Sequence, residues 1–196
     1  VAISVVLVSS CLIAFEVEYE RYFNGAKFIH FLLGPATVAL AVPIYLNWKI
    51  VMAERLAIIA TVVLGSFFAI IITFGLSIIL DIDLITMRSL LPRSVTAPIA
   101  MGISELIGGV PSLTAIITVV TGIIGAALGT FILDLARIKN MSARGFAFGL
   151  SSHGIGTARA MSRNKTAGVF SAVAMGLSGI VTALMLPLFF RLFSGI

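Results

Sequence analysis

Near its C-terminal third the chain reads Gly149-Leu150-Ser151-Ser152-His153-Gly154-Ile155-Gly156-Thr157, which sets Ser152, His153 and Thr157 among Gly154 and Gly156. An imidazole can donate to a carboxylate or relay a proton. The neighbouring hydroxyls can donate to an anion, or bond back to their own helix as such groups often do. A second polar stretch, Arg93-Ser94-Val95-Thr96-Ala97-Pro98, places Ser94 and Thr96 beside a guanidinium. Arg93 and Arg159 flank the two stretches, and each suits an anionic ligand or a headgroup reached by snorkelling. Glu105, the one acid outside the charged linkers, can couple a proton or cation or pair with an arginine.

Enzyme chemistry finds little support in this set. No nucleophile is accompanied by an evident base and orienting acid, and Gly154-Ile155-Gly156 lacks the third glycine and the preceding strand of a dinucleotide loop. The single Cys11 rules out an internal disulfide framework, and no histidine, cysteine and acid cluster has metal-ligand spacing. No catalytic residue, metal or cofactor is expected.

The surroundings explain why these polar residues matter. The 196 residues are 60% hydrophobic and 11% charged, with a mean hydropathy of +1.18. A soluble domain carries about a quarter charged residues, so this is an integral membrane protein. The net charge of +5 falls in short linkers, which suits loops facing anionic lipid and gives no nucleic-acid patch. Apolar runs occur at 1–15, 28–46, 56–80, 112–133 and 167–190; the first is short of the roughly 20 residues a crossing needs. Because the chain starts with Val1 inside an apolar run, a trimmed N-terminus is expected. Segments 94–110 and 145–160 are interrupted by Pro98, Gly108-Gly109 and the glycines around His153. Irregular backbone at membrane depth is tolerated only when buried in protein or lining a wet cavity.

The expectation is a single all-α transmembrane domain over 1–196 with about 6–7 helices, two of them broken or re-entrant. Thr96-Ala97-Pro98-Ile99-Ala100-Met101 echoes Thr157-Ala158-Arg159-Ala160-Met161, which an inverted repeat or chance explains equally. Gly122, Gly125 and Gly129 fall roughly on one helical face, which close helix approach or the ordinary glycine content of a membrane helix explains equally. Positive-inside counting does not orient the chain. The Lys and Arg split is eight to five if both broken segments re-enter, and five to eight if both cross.

Four motifs, Leu33-Gly34-Pro35-Ala36-Thr37-Val38-Ala39-Leu40-Ala41-Val42-Pro43, Leu91-Pro92-Arg93-Ser94-Val95-Thr96-Ala97-Pro98-Ile99-Ala100, Gly109-Val110-Pro111-Ser112-Leu113-Thr114-Ala115 and Ser152-His153-Gly154-Ile155-Gly156-Thr157-Ala158, together resemble the LrgB/CidB family of bacterial membrane proteins. The family is similar to the membrane part of the plastid glycolate/glycerate translocator. The resemblance implies a multi-pass protein of the cell inner membrane that moves pyruvate-like or glycolate-like monocarboxylates. It also implies a link to murein hydrolase control and autolysis and a small LrgA/CidA-like membrane partner; the sequence does not fix the oligomeric state and leaves a homo-oligomer open. Through the matching motifs it implies Arg93, Ser94, Thr96, Ser152, His153, Gly154, Gly156 and Thr157 as the carboxylate site. Glu105 and Arg159 lie outside the part shared with the plant relative, and with His153 they are the candidates for proton coupling. The competing expectation is an antiholin-like regulator that has no substrate of its own and acts through the small partner.

Overall fold

The computed structural model describes residues 2–39 and 41–193, and all ten elements among them are helices. They form two compact units, residues 1–46 and 47–196. The first contains α1 (Ala2–Ala14), α2 (Tyr19–Ala39) and α3 (Ala41–Leu46), with Pro35 inside α2. Leu40, between Pro35 and Pro43, lies outside the described residues.

The second unit starts with α4 (Trp48–Ala53) and continues through α5 (Arg55–Ile79), α6 (Leu84–Leu90), α7 (Ala97–Leu106), α8 (Pro111–Leu135), α9 (Met141–Arg163) and α10 (Lys165–Phe193). Among the described residues only α5, α8 and α10 are long and apolar enough to cross a membrane. Their surfaces are inverted relative to a soluble bundle. On α5 the buried stripe is Ile58, Val62, Ser66, Ile70, Thr73 and Ser77, while Leu64, Phe68, Ile72 and Ile79 are exposed. Lipid solvates the leucines, so the small and hydroxylated residues turn inward where close packing and hydrogen bonding stabilise the bundle.

Both interrupted segments fold back on themselves. Asp83 caps α6, accepting from the N–H groups of Ile85 (3.1 Å) and Thr86 (3.0 Å). Residues 91–96 then turn the chain into α7, which is closed at Gly108 (φ 77°) by Gly109 N–H to Ser104 carbonyl, 2.7 Å, and Gly108 N–H to Glu105 carbonyl, 3.2 Å. This left-handed cap is the Schellman arrangement glycine permits. It brings Gly109 against the backbone of Arg88 and Ser89, where a Cβ would lie 3.0 Å from Ser89 N. The Thr114 hydroxyl at the start of α8 reaches the Ser89 carbonyl (3.0 Å) and Ser104 Oγ (2.8 Å), and Val110 N–H donates to Ser89 Oγ (2.8 Å). The outgoing arm, the returning arm and the next crossing are thereby pinned at one end of the bundle.

The second reversal lies inside α9. His153 has φ 40°, ψ −130°, so the helix is two arms joined at that residue. Gly145 and Gly149 on the first arm pack on the backbone of Ala167 and Ser171, advancing in step with α10. On the second arm Thr157 returns to Ser171 (2.9 Å) and Met161 to Gly168, so this arm runs against α10. Asn140 and Asn164 cap α9 and α10 through Ala143 N–H and Ala167 N–H, each at 3.1 Å. The glycines of α8 receive the first arm in reverse order: Gly129 faces Phe148, Gly125 faces Ser152, and Gly122 faces His153. The hairpins enter from opposite ends of the bundle. Helix plus hairpin, α5–α6–α7, is followed by helix plus hairpin, α8–α9, upside down, and the echoed Thr96 and Thr157 open the two returning arms.

Candidate functional site

The two turns meet across a cavity of about 540 Å³ within the second unit. The first hairpin contributes Arg93 and Ser94; the second contributes Ser151 and Ser152. Thr121 and Gly125 of α8 and Gly65 and Ala69 of α5 form the sides, and Ile124, Leu150 and Phe148 make most of the rest apolar. A pocket of this size with few convergent polar groups fits a small-molecule site. Arg93 is the one charged residue of that lining.

Arg93 is fixed from behind. Its Nη1 donates to Thr73 Oγ1 at 3.1 Å, and the Thr73 hydroxyl donates to the Ala69 carbonyl at 2.7 Å. A guanidinium has five N–H donors, so this contact orients it while leaving donors for a ligand. A cation at this depth, in a cavity with no lining acid, is stabilised by an anion. Opposite it, the Ser151 hydroxyl donates to the Ala147 carbonyl (2.8 Å) and lies 3.0 Å from Ser152 Oγ. Ser152 is fully buried and held against Gly125.

The remaining expected site residues are distributed differently. The reversal at His153 turns Ser151 and Ser152 to the cavity, and turns His153 and Thr157 toward α8 and α10. His153 is buried, and its Nε2–H donates to the Thr118 carbonyl at 2.9 Å. Thr157 is buried too; its hydroxyl donates to the His153 carbonyl (2.7 Å) and meets Ser171 Oγ (2.9 Å). Gly156 lies where a Cβ would strike the Phe148 carbonyl at 2.5 Å, so it serves the closeness of the two arms. Gly154 has only Met175 Sδ near its missing Cβ, at 4.0 Å. Thr96 precedes α7 without a side-chain capping bond, and neither it nor the first residues of α7 line the cavity. Glu105 is exposed on α7. Arg159 is half-buried away from the cavity, with Nε buried and unpartnered. Among the described residues no cluster of three or more His, Cys, Asp or Glu could hold a metal ion.

Thr73 and Thr121 join the site without having been singled out by motif. Both carry a signal nonetheless: Thr73 lies on a stripe with Ser66 and Ser77 in the charge-free run 56–80, and Thr121 precedes Gly122 of the glycine face of α8.

A family model described as the LrgB-like family matches residues 1–192. The chain belongs to that family. As a member of the LrgB-like family, with three apolar crossings in its second unit, it is a multi-pass protein of the cell membrane. It is 39% identical over 176 residues to the uncharacterized protein YwbG of Bacillus subtilis, covering 90% of this chain and 78% of the relative. It is 36% identical over 190 residues to YxaC of the same organism, covering 96% and 82%. A Bacillus cereus protein named antiholin-like protein LrgB is 33% identical over 171 residues, covering 87% and 74%. No solved structure matches the chain.

Proposed function

We propose that the protein carries small monocarboxylates, short 2-oxo or 2-hydroxy acids such as pyruvate and glycolate, through the cavity between the hairpin turns. The observation that carries this reading is Arg93, a lone guanidinium oriented by Thr73 and facing serine hydroxyls of the opposite hairpin. The carboxylate binds Arg93 in the charge-assisted fork geometry, and Ser94, Ser152 and Thr121 donate to the substituent oxygens, while Ser151 keeps its O–H on the Ala147 carbonyl. His153 acts from behind: it ties the second turn to α8, so a proton arriving on the imidazole is felt through the position of Ser152. Glu105 and Arg159 have no part in this site.

Uptake of labelled pyruvate or glycolate into proteoliposomes tests it. Saturable flux is expected for the wild type, near-complete loss for Arg93→Gln, and a several-fold rise in KM for Ser152→Ala. Equal flux in all three refutes the site.

A second reading joins the antiholin-like name of the Bacillus cereus relative to what the motif resemblance implies: a regulator of murein hydrolases that works through a small holin-like membrane partner. A lysis phenotype that survives Arg93→Gln but vanishes without the partner favours it.

A further inference from the structure

At the open end of the second hairpin lies another pocket, about 360 Å³, that the carrier reading does not use. It is walled by Thr130 and Asp134 of α8, Met141 and Arg144 at the start of α9, and Arg163 and Asn164 where α9 ends and α10 begins. Its floor is apolar, made by Phe148, Ala160 and Ala167. Arg144 is largely buried there and held by two contacts of its Nη1, to Asp134 Oδ1 at 2.7 Å and to the Ile138 carbonyl at 2.8 Å. Arg163 is exposed, and no acid among the described residues pairs with it. Arg137 and Lys139 lie in the linker before α9, and Lys165 opens α10. The single acid, Asp134, is already committed to Arg144, so the pocket is left with a net positive charge. The starts of α9 and α10 and the ends of α8 and α9 all converge on it, so the helix partial charges offset one another and the positive charge is that of the side chains.

We propose that this pocket binds a phosphate ester, its phosphoryl oxygens between Arg163 and Arg144. A basic pocket between membrane helices with an apolar floor suits the headgroup and first carbons of an anionic phospholipid. A free phosphate compound presents the same phosphoryl chemistry without the carbons. Either occupant joins α8, both arms of the second hairpin and α10 at the point where the hairpin opens, and so restrains the turn that carries Ser152.

The test uses the full chain in bilayer nanodiscs. Phosphatidylglycerol is titrated into zwitterionic lipid, inorganic phosphate is titrated separately, and the melting temperature is followed. The wild type is expected to rise by several degrees and saturate at a few mole per cent of phosphatidylglycerol. Arg163→Gln loses the rise while melting normally in zwitterionic lipid, and Arg55→Gln, a charge elsewhere on the same end, keeps it. Saturation by inorganic phosphate alone identifies the free anion as the source. An equal rise in all three proteins reflects surface charge and overturns the proposal, as does a wild type that responds to neither ligand. Photoreactive phosphatidylglycerol gives an independent readout that needs no variant. Labelling between residues 130 and 167, competed by phosphatidylglycerol or by inorganic phosphate, supports the pocket, and labelling confined elsewhere overturns it.

Discussion

Gly125→Ala is the sharpest probe of how the second hairpin sits on α8. A methyl at Gly125 would coincide with Ser152 Oγ and lie 2.9 Å from Ser152 Cβ. Rotating the hydroxyl away leaves the Cβ contact in place, so the turn itself must move. Overpacking of this kind costs about 1–3 kcal/mol. It opposes the roughly 0.5–1 kcal/mol by which alanine is preferred to glycine within a helix. Gly75→Ala isolates the second term, because nothing lies within 4 Å of its missing Cβ. The stability gap between the two variants therefore measures the collision alone, about 1–3 kcal/mol. Ser152→Gly removes both colliding atoms, so Gly125→Ala/Ser152→Gly should regain most of the loss, a non-additivity expected only of touching residues. Reversible unfolding in mixed micelles provides the stabilities, and pyruvate uptake reports whether the cavity survives. If Gly125→Ala proved as stable as Gly75→Ala, the packing of α9 on α8 would be wrong.

The same geometry fixes other outcomes. Arg137 closes α8 at φ 56°, with Ile138 N–H donating to the Leu133 carbonyl at 3.0 Å. Left-handed backbone burdens any residue with a Cβ, so Arg137→Gly should stabilise the protein by roughly 0.5–1 kcal/mol in thermal melts. Because both segments re-enter, eight Lys and Arg of the second unit (49, 55, 137, 139, 144, 159, 163 and 165) lie toward the end that opens the second hairpin, against two (88 and 191) toward the other, with Arg93 in the cavity between them. The positive-inside rule makes the first end cytoplasmic. In a Cys11→Ser background, Ser142→Cys and Lys165→Cys should both resist an impermeant thiol reagent applied outside cells, and Asp81→Cys should react; labelling of Ser142→Cys and Lys165→Cys on opposite sides would contradict the hairpin. Thr86, through its hydroxyl and then its N–H, holds the Asp83 carboxyl below its ordinary range. A lowered carboxyl pKa contributes stability above the unfolded value that is lost as pH falls through the folded one, so acid melting curves of Asp83→Asn should be flatter than wild type below about pH 4.

Much of this architecture is legible in the sequence because the bilayer constrains composition so strongly. Charge-free runs locate α5, α8 and α10, and the Gly122, Gly125 and Gly129 spacing marks the face that the second hairpin occupies. Pro98 marks where α7 starts, Gly108-Gly109 where it stops, and the glycines about His153 where α9 reverses. The direction of each broken segment is not legible. Whether residues 145–160 cross or return depends on a single backbone angle pair at His153, and side-chain pattern does not encode it. That angle also decides the site. On a continuous helix Ser152 and Gly156 would share a face, and His153 would share one with Thr157. The reversal instead divides Ser151 and Ser152, toward the cavity, from His153 and Thr157, toward α8 and α10. The motif around the first broken segment nominates Arg93 and Ser94, which line the cavity, together with Thr96, which does not, whereas Thr73 acts through a contact 20 residues away that no local pattern announces.

The re-entrant arms have a consequence for how the chain is made. Each arm is 7 to 12 residues long, about 10–18 Å at 1.5 Å per residue, and cannot span a hydrocarbon layer of about 30 Å. Neither hairpin has a stable place in lipid until the crossing that succeeds it has emerged from the ribosome. A nascent chain cut after Arg163 would strand the second hairpin without Ala167 and Ser171 to cover Gly145 and Gly149. Synthesis of α10 is thus the step that commits the membrane-embedded half of the molecule.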